Sequence, residues 1–182
     1  LTFDAGSSQY TSSAEAARQA IISDDNWTIN DGGLVQPSEP FITTWETTSA
    51  NESITIPTNG GPNVTDYDFE IDWGDGSAVE TITGNDPDPS HTYASAGNYT
   101  VEISGTFPRI YTSQSQDNAA KLQSIEQWGS IQWESMESAF AGASNMVYNA
   151  TDMPDLSGVT DMGWMFSGAE SFNGDIGGWN VS

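Results

Sequence analysis

Residues 66–84 read "DYDFEIDWGDGSAVETITG", and their pattern decides the fold class. Tyr67, Phe69, Ile71 and Trp73 alternate with Asp66, Asp68, Glu70 and Asp72. A period of two puts one set on a buried sheet face and the other in water. Gly74-Asp75-Gly76 then offers glycines for positive φ and an aspartate that can bond the turn backbone, before "VETIT" resumes the alternation. Two strands joined by a tight connection are expected.

The same texture extends outward. "FITTWETT", "SITIPT" and "YTVEIS", each bounded by Gly, Pro, Asn or Asp, bring the total to five or more short strands between Phe41 and Gly105. That spacing predicts a small β-sandwich over residues 41–106. A domain of about 65 residues buries only about 60% of its unfolded surface, so neighbouring modules should support it. Upstream, "SSAEAARQAIIS" (residues 12–23) predicts a helix. Ser12 and Glu15 are spaced as a capping box, and Ala16, Ala17, Ala20 and Ile21 are on hand for a core. "DDNW" stops this helix, and a short strand "WTIN" and the breaker "DGG" follow. "LVQPSEP" (34–40) reads as a linker, because Pro37 and Pro40 forbid regular structure.

Beyond Phe107 the chain repeats itself. "SMESAFAGASNM" (135–146) aligns with "DMGWMFSGAESF" (161–172), matching Met136 to Met162, Phe140 to Phe166 and Gly142-Ala143 to Gly168-Ala169. A period in the twenties predicts a leucine-rich-type solenoid, with one short strand and one helical turn per repeat. Only about two repeats are present over 107–182, fewer than the three or so such an array needs. More repeats, or another chain, are therefore expected after Ser182. The start at Leu1, without a methionine, likewise reads as a piece of something longer.

Composition excludes several functions. Three basic residues face 26 acidic ones, for a formal net charge of -23. The cationic contacts that nucleic-acid binding rests on are missing, and anionic membrane surfaces are equally unattractive. No apolar run approaches the roughly 18 residues of a membrane span. A surface so charged repels itself unless salt or cations screen it, which predicts a salty or calcium-containing medium. With no cysteine there is no disulfide framework, thiolate nucleophile or cysteine metal site. Six N-x-S/T sequons, at Asn26, Asn51, Asn63, Asn98, Asn149 and Asn180, are largely what chance gives in so Ser/Thr/Asn-rich a chain.

The candidate sites lie among the acids. His91 is the sole imidazole, there is no G-x-S-x-G elbow, and Ser90 on an extended strand points away from its neighbour, so a catalytic triad is not expected. Packing of His91 beside Tyr93 is the preferred reading. Two carboxylates about 5 to 9.5 Å apart would meet the demand of glycoside hydrolysis, but the sequence offers no cleft. Calcium, which takes six to eight oxygen ligands, is the most credible ligand. Its candidate residues are Asp72 and Asp75, Asp86 and Asp88, and Asp24, Asp25 and Asp31, against the alternative that these residues simply make turns. Trp45, Tyr67, Trp73 and Tyr99 could stack on a glycan, but their period-two spacing assigns them to the core.

"VTDMGWMFSGAESFNGDIGGWNVS" (159–182) resembles the repeats of the BspA-like leucine-rich-repeat surface proteins of bacteria, which run V-T-x-M-x-x-M-F-x-x-A-x-x-F-N-x-D-I-x-x-W-x-V-S. Residues 107–152 look like the beginning of such an array, and residues 1–33 resemble the cap that normally closes one. "DFEIDWGDGS" with "HTYASAGNYTVEISG" is similar to PKD-like extracellular sandwich modules, although this one is short. The resemblance implies a mostly β chain with short helices, in which a PKD-like, Ig-like sandwich sits between a cap (1–33) with its linker (34–40) and an incomplete solenoid (107–182). It also implies an extracellular, cell-surface structural or adhesive segment without catalysis and with no required cofactor. Its partners would be neighbouring repeat units, of the same or an identical chain, and a host or prey glycan or protein. The rival readings are a glycan- or protein-binding receptor module and an accessory domain of a surface enzyme.

Overall fold

In a computed structural model of the chain, residues 1–10, 12–33, 38–59 and 65–181 are described. Linker residues 34–37, the capping side chain expected at Ser12, and Asn63 lie outside that set. The chain is mostly β with short helices, and it divides into two compact units, Leu1–Pro37 and Ser38–Ser182.

The first unit is a β-α-β turn. Strand β1 (Thr2–Asp4) leads into helix α1 (Ser12–Asp24), and the chain returns in strand β2 (Thr28–Asn30), parallel to β1 with Thr2 opposite Thr28. Arg18 of α1 donates two hydrogen bonds to the Asp31 carboxylate, at 2.7 and 3.2 Å, while its guanidinium lies 4.9 Å from the Tyr10 ring. The helix falls where expected, but its apolar face finds no core. Ala16, Ala17, Ala20 and Ile21 are exposed, and no hydrophobic residue before Phe41 is buried among the described residues. So short a unit has too little apolar surface to close over itself. What remains is an open groove of about 450 Å³ between Phe3, Tyr10, Ala17, Ile21, Trp27 and Ile29.

The second unit contains eight strands. β3 is Phe41–Thr47, β4 Glu52–Thr55, β5 Tyr67–Asp72, β6 Glu80–Gly84, β7 Ser90–Tyr93, β8 Gly97–Thr106, β9 Leu122–Gln127 and β10 Val147–Tyr148, with a four-residue helix α2 (Gln116–Ala119) before β9. They form a six-stranded sheet in the order β10-β9-β3-β8-β5-β6 and a two-stranded sheet β4-β7. The alternation read from the sequence holds. Phe41 and Trp45 of β3, Tyr67, Phe69 and Ile71 of β5, and Val101 and Ile103 of β8 join one buried cluster with Ile54 of β4 and Tyr93 of β7. The arrangement is sandwich-like, and the glycan alternative loses its platform because Trp45, Tyr67 and Trp73 are buried. Gly74 (φ 76°) and Gly76 (φ 84°) make the β5–β6 connection with positive φ, as expected. A Cβ on Gly74 would lie 2.1 Å from the Thr100 carbonyl oxygen.

The sheet does not stop where the sequence changes texture. β3 pairs antiparallel with β8 on one side and with β9 on the other, so residues after Phe107 complete the sheet begun at Phe41. From β9 onward the chain winds in stacked turns. β10 pairs parallel with β9, with Val147 opposite Ser124, and Gln132 bridges to Asp155. The amides of Met136, Ser138, Phe140 and Gly142 donate to the carbonyls of Asp161, Gly163, Met165 and Ser167. Equivalent backbone shapes recur at the repeat spacing: Ser138 and Trp164 have φ of 53° and 59°, Gly142 and Gly168 of 79° and 72°. Phe140 stacks on Phe166 at 5.8 Å and 14°. These are tight turns, and among the described residues they do not build the strand and helical turn per repeat that the period suggested. The alternating residues needed for longer strands are replaced here by Gly, Ser and Asp, which favour turns.

Trp128 ties the turns to the sheet. It is fully buried, with ring centroids 5.7 Å from Phe41, 5.9 Å from both Trp133 and Phe140, and 5.4 Å from Trp179. Its indole N–H donates to the Tyr148 hydroxyl at 2.9 Å. Next to it Gly129 has φ 65°, and a Cβ there would meet the carbonyl oxygens of Glu39 and Pro40 at 2.3 Å. Gly129→Ala is expected to cost about 2–4 kcal/mol, from the left-handed conformation plus the clash. Trp128→Ala is expected to cost about 3–5 kcal/mol. Urea unfolding of each variant against the parent chain measures both losses.

Candidate functional site: the acidic loops

Three loops carry the sequence-predicted carboxylates. In the β5–β6 loop, Asp72 Oδ1 accepts the Gly74 amide at 2.9 Å, and Asp75 Oδ1 accepts the Ser77 amide at 3.0 Å. The other Asp75 oxygen lies 2.8 Å from His91 Nε2. Hydrogen bonds from the Ser77 side chain, then from His91 and the Ser77 amide, hold the Asp75 carboxyl well below the usual carboxylate range. His91 stacks on Trp73 at 5.2 Å and 16° and meets Tyr93 edge-on at 4.7 Å. The expected packing of His91 beside Tyr93 is therefore present, with a carboxylate partner that the sequence reading did not assign.

Ser90 Oγ accepts from the Thr55 hydroxyl at 3.0 Å and donates to the Ile54 carbonyl at 3.3 Å, both on β4. The serine is thus engaged away from His91. Tyr93 donates its hydroxyl to the Trp73 carbonyl at 2.9 Å, and burial pushes its pKa up. Burial likewise raises Tyr67 to about 12, and its hydroxyl donates to the Arg109 carbonyl at 2.8 Å.

The second loop, between β6 and β7, converges on Thr58. This threonine is fully buried, and its hydroxyl lies 3.0 Å from Asp86 Oδ1 and 3.1 Å from Asp88 Oδ1. Its amide donates to Asp88 Oδ1 at 2.7 Å. The sequence gave no sign that Thr58 would be the partner, because only the tertiary fold brings it there from 28 and 30 residues away.

The third set lies in the first unit. Asp31 is paired with Arg18 and accepts the Gly33 amide at 3.1 Å, so its carboxyl is held below the usual range, chiefly by the guanidinium. Asp24 accepts from the Ser23 hydroxyl at 2.9 Å, and Asp25 follows it at the exposed end of α1. The seven candidates thus fall into separate places. Among the described residues, no group of three or more His, Asp or Glu side chains converges as a cation site. The turn-making alternative has direct support, since the same i to i+2 aspartate bond recurs at Asp4, Asp155, Asp161 and Asp175.

The three cations, which sequence reading left without roles, are all used as struts. Lys121 lies 2.9 Å from Glu52 and donates to the Ser53 carbonyl at 2.7 Å. Arg109, buried, donates to Glu137 at 2.6 Å and lies over the Tyr111 ring at 4.6 Å. Asp152 accepts the amides of both Trp128 and Gly129, the latter at 2.8 Å.

A family model described as "Mycoplasma protein of unknown function, DUF285" matches residues 109–182, the stacked-turn part of the chain. No curated protein and no solved structure matches the chain. No helix among the described residues is long and apolar enough to cross a membrane.

Glu52 gives the loops a measurable pH signature. Its carboxylate accepts from Lys121 and from the amides of Thr48 and Ser49, at 2.7 and 3.2 Å, which lowers it from 4.5 to about 2. A lowered carboxylate contributes stability that is fully present above its unfolded pKa and is lost as pH falls through the folded one. The stability difference between the parent chain and Glu52→Gln is thus expected to be constant above about pH 4.5 and to shrink as pH approaches about 2. Urea midpoints measured across that range give the curve.

Proposed function

We propose that this chain is a structural and adhesive segment of a large extracellular bacterial surface protein, a rigid spacer that presents its surface to neighbouring repeat units and to surface glycans or proteins. One observation carries the reading: β3 is hydrogen-bonded to the sandwich strand β8 and to β9, which opens the stacked turns. A spacer built this way has no hinge between its sandwich and its repeats. The repeated φ values, and the ladder of amides from Met136 to Gly142, support a solenoid-like array of the BspA kind in a compact, turn-based form. The partners it implies are adjoining units, which would cover the exposed Phe3, Met153 and Trp164.

Calcium on this reading acts as a bridge and a screen for a surface of net charge -23, since the acids are dispersed through turns. Titration of chelator-treated protein should then show no saturable heat at millimolar calcium, while calcium and magnesium raise the melting temperature alike. A saturable, calcium-selective heat would restore a coordination site.

The spacer itself is tested by calorimetry and hydrogen exchange. Residues 38–182 should melt in one transition, with β3, β8 and β9 exchanging together. Separate melting of residues 41–106 and 107–182 would overturn it.

A further inference from the structure

Two aspartyl-prolyl bonds stand side by side in the β6–β7 loop, Asp86–Pro87 and Asp88–Pro89. They are chemically alike but conformationally different. Asp88 has φ of 39°, a region that a side-chain-bearing residue rarely occupies and that suits a residue before proline still less. Asp86 is not among the residues with positive φ. The strained residue is gripped from the β4 side. Thr58 donates to Asp88 Oδ1 through its amide at 2.7 Å and its hydroxyl at 3.1 Å, and Ile56 donates its amide to the Pro89 carbonyl at 2.9 Å. Both sides of the 88–89 bond are therefore fixed by one segment, the condition under which such strain persists.

We propose that Asp88–Pro89 is a self-cleavage site that mild acid opens in the folded protein in preference to Asp86–Pro87. An aspartate carboxylate can close a five-membered ring onto its own main-chain carbonyl carbon. Proline is the leaving group of choice because its amide nitrogen is tertiary and takes a proton more readily. In the step, an Asp88 carboxylate oxygen bonds to the Asp88 carbonyl carbon, the bond from that carbon to the Pro89 nitrogen breaks, and the nitrogen leaves as a secondary amine carrying a solvent proton. Water then opens the cyclic anhydride to two free carboxyl groups on Asp88, with no change of oxidation state. Strain of this kind, released as the bond breaks, is worth roughly tenfold in rate. The nicked molecule stays together, because the segment before the cut is held by β5–β6 pairing and the segment after it by β4–β7 pairing.

The intact chain is incubated in steps from neutral pH down to about pH 4, close to the ordinary aspartate pKa of about 3.9. Tryptophan fluorescence reports the fold, and denatured samples are read by mass spectrometry. While the native signal lasts, fragments ending at Asp88 and beginning at Pro89 should form roughly tenfold faster than those cut at 86–87. In concentrated urea at the same pH the two rates should become equal. Asp88→Asn should abolish the 88–89 cut, and Asp86→Asn should leave it unchanged. Equal cutting of the two bonds in the folded chain, a preference that survives urea, or loss of the native signal before any cut appears would each overturn the proposal.

Discussion

The structure depends on strand Phe41–Thr47 being paired along both edges. A strand with one free edge is a template for unwanted association, and a small sandwich standing alone is marginally stable. Here the second edge is closed by Leu122–Gln127, which continues directly into Trp128. That indole reaches Phe41 on one side and Phe140 and Trp179 on the other, so a single aromatic cluster serves both the sheet and the turns. The sandwich and the repeats share a core, and neither closes its apolar surface without the other.

Much of the sheet was legible because period-two alternation is a local signal. Tyr67, Phe69 and Ile71 fall on one face and Asp68 and Glu70 on the other, as their spacing requires. The turn at Gly74–Gly76 was equally readable, because its demand for positive φ is written in glycine. The role of Leu122–Gln127 was not. Its residues are only mildly alternating, and its partner strand lies some 80 residues earlier in the chain, a pairing that no local pattern encodes. The first unit shows the opposite failure. Its helix was placed correctly, but the core assigned to that helix does not exist within the unit, since helix-forming residues reveal a propensity without revealing what covers it.

The acids illustrate how a chemical suspicion narrows into a conformational role. Asp72, Asp75, Asp31 and their counterparts in the later turns spend one oxygen on a main-chain amide two residues ahead. Aspartate does this better than most residues, so a turn-rich chain accumulates negative charge as a by-product of its backbone geometry. Convergence on Thr58, and the pairing of Asp75 with His91, depend on strands distant in sequence and could only be found in the folded chain.

The amide ladder of the stacked turns has a further consequence. Met136, Ser138, Phe140 and Gly142 all donate in one direction, to carbonyls of the following turn. Their repeat equivalents are Met162, Trp164, Phe166 and Gly168. Donors therefore face forward and acceptors backward, and the stack has a sense along its axis much as an α-helix does. Units joined through such faces can lengthen only head to tail. Two like ends brought together would set amide against amide, so the polarity of any assembly is written in the backbone before a side chain is chosen.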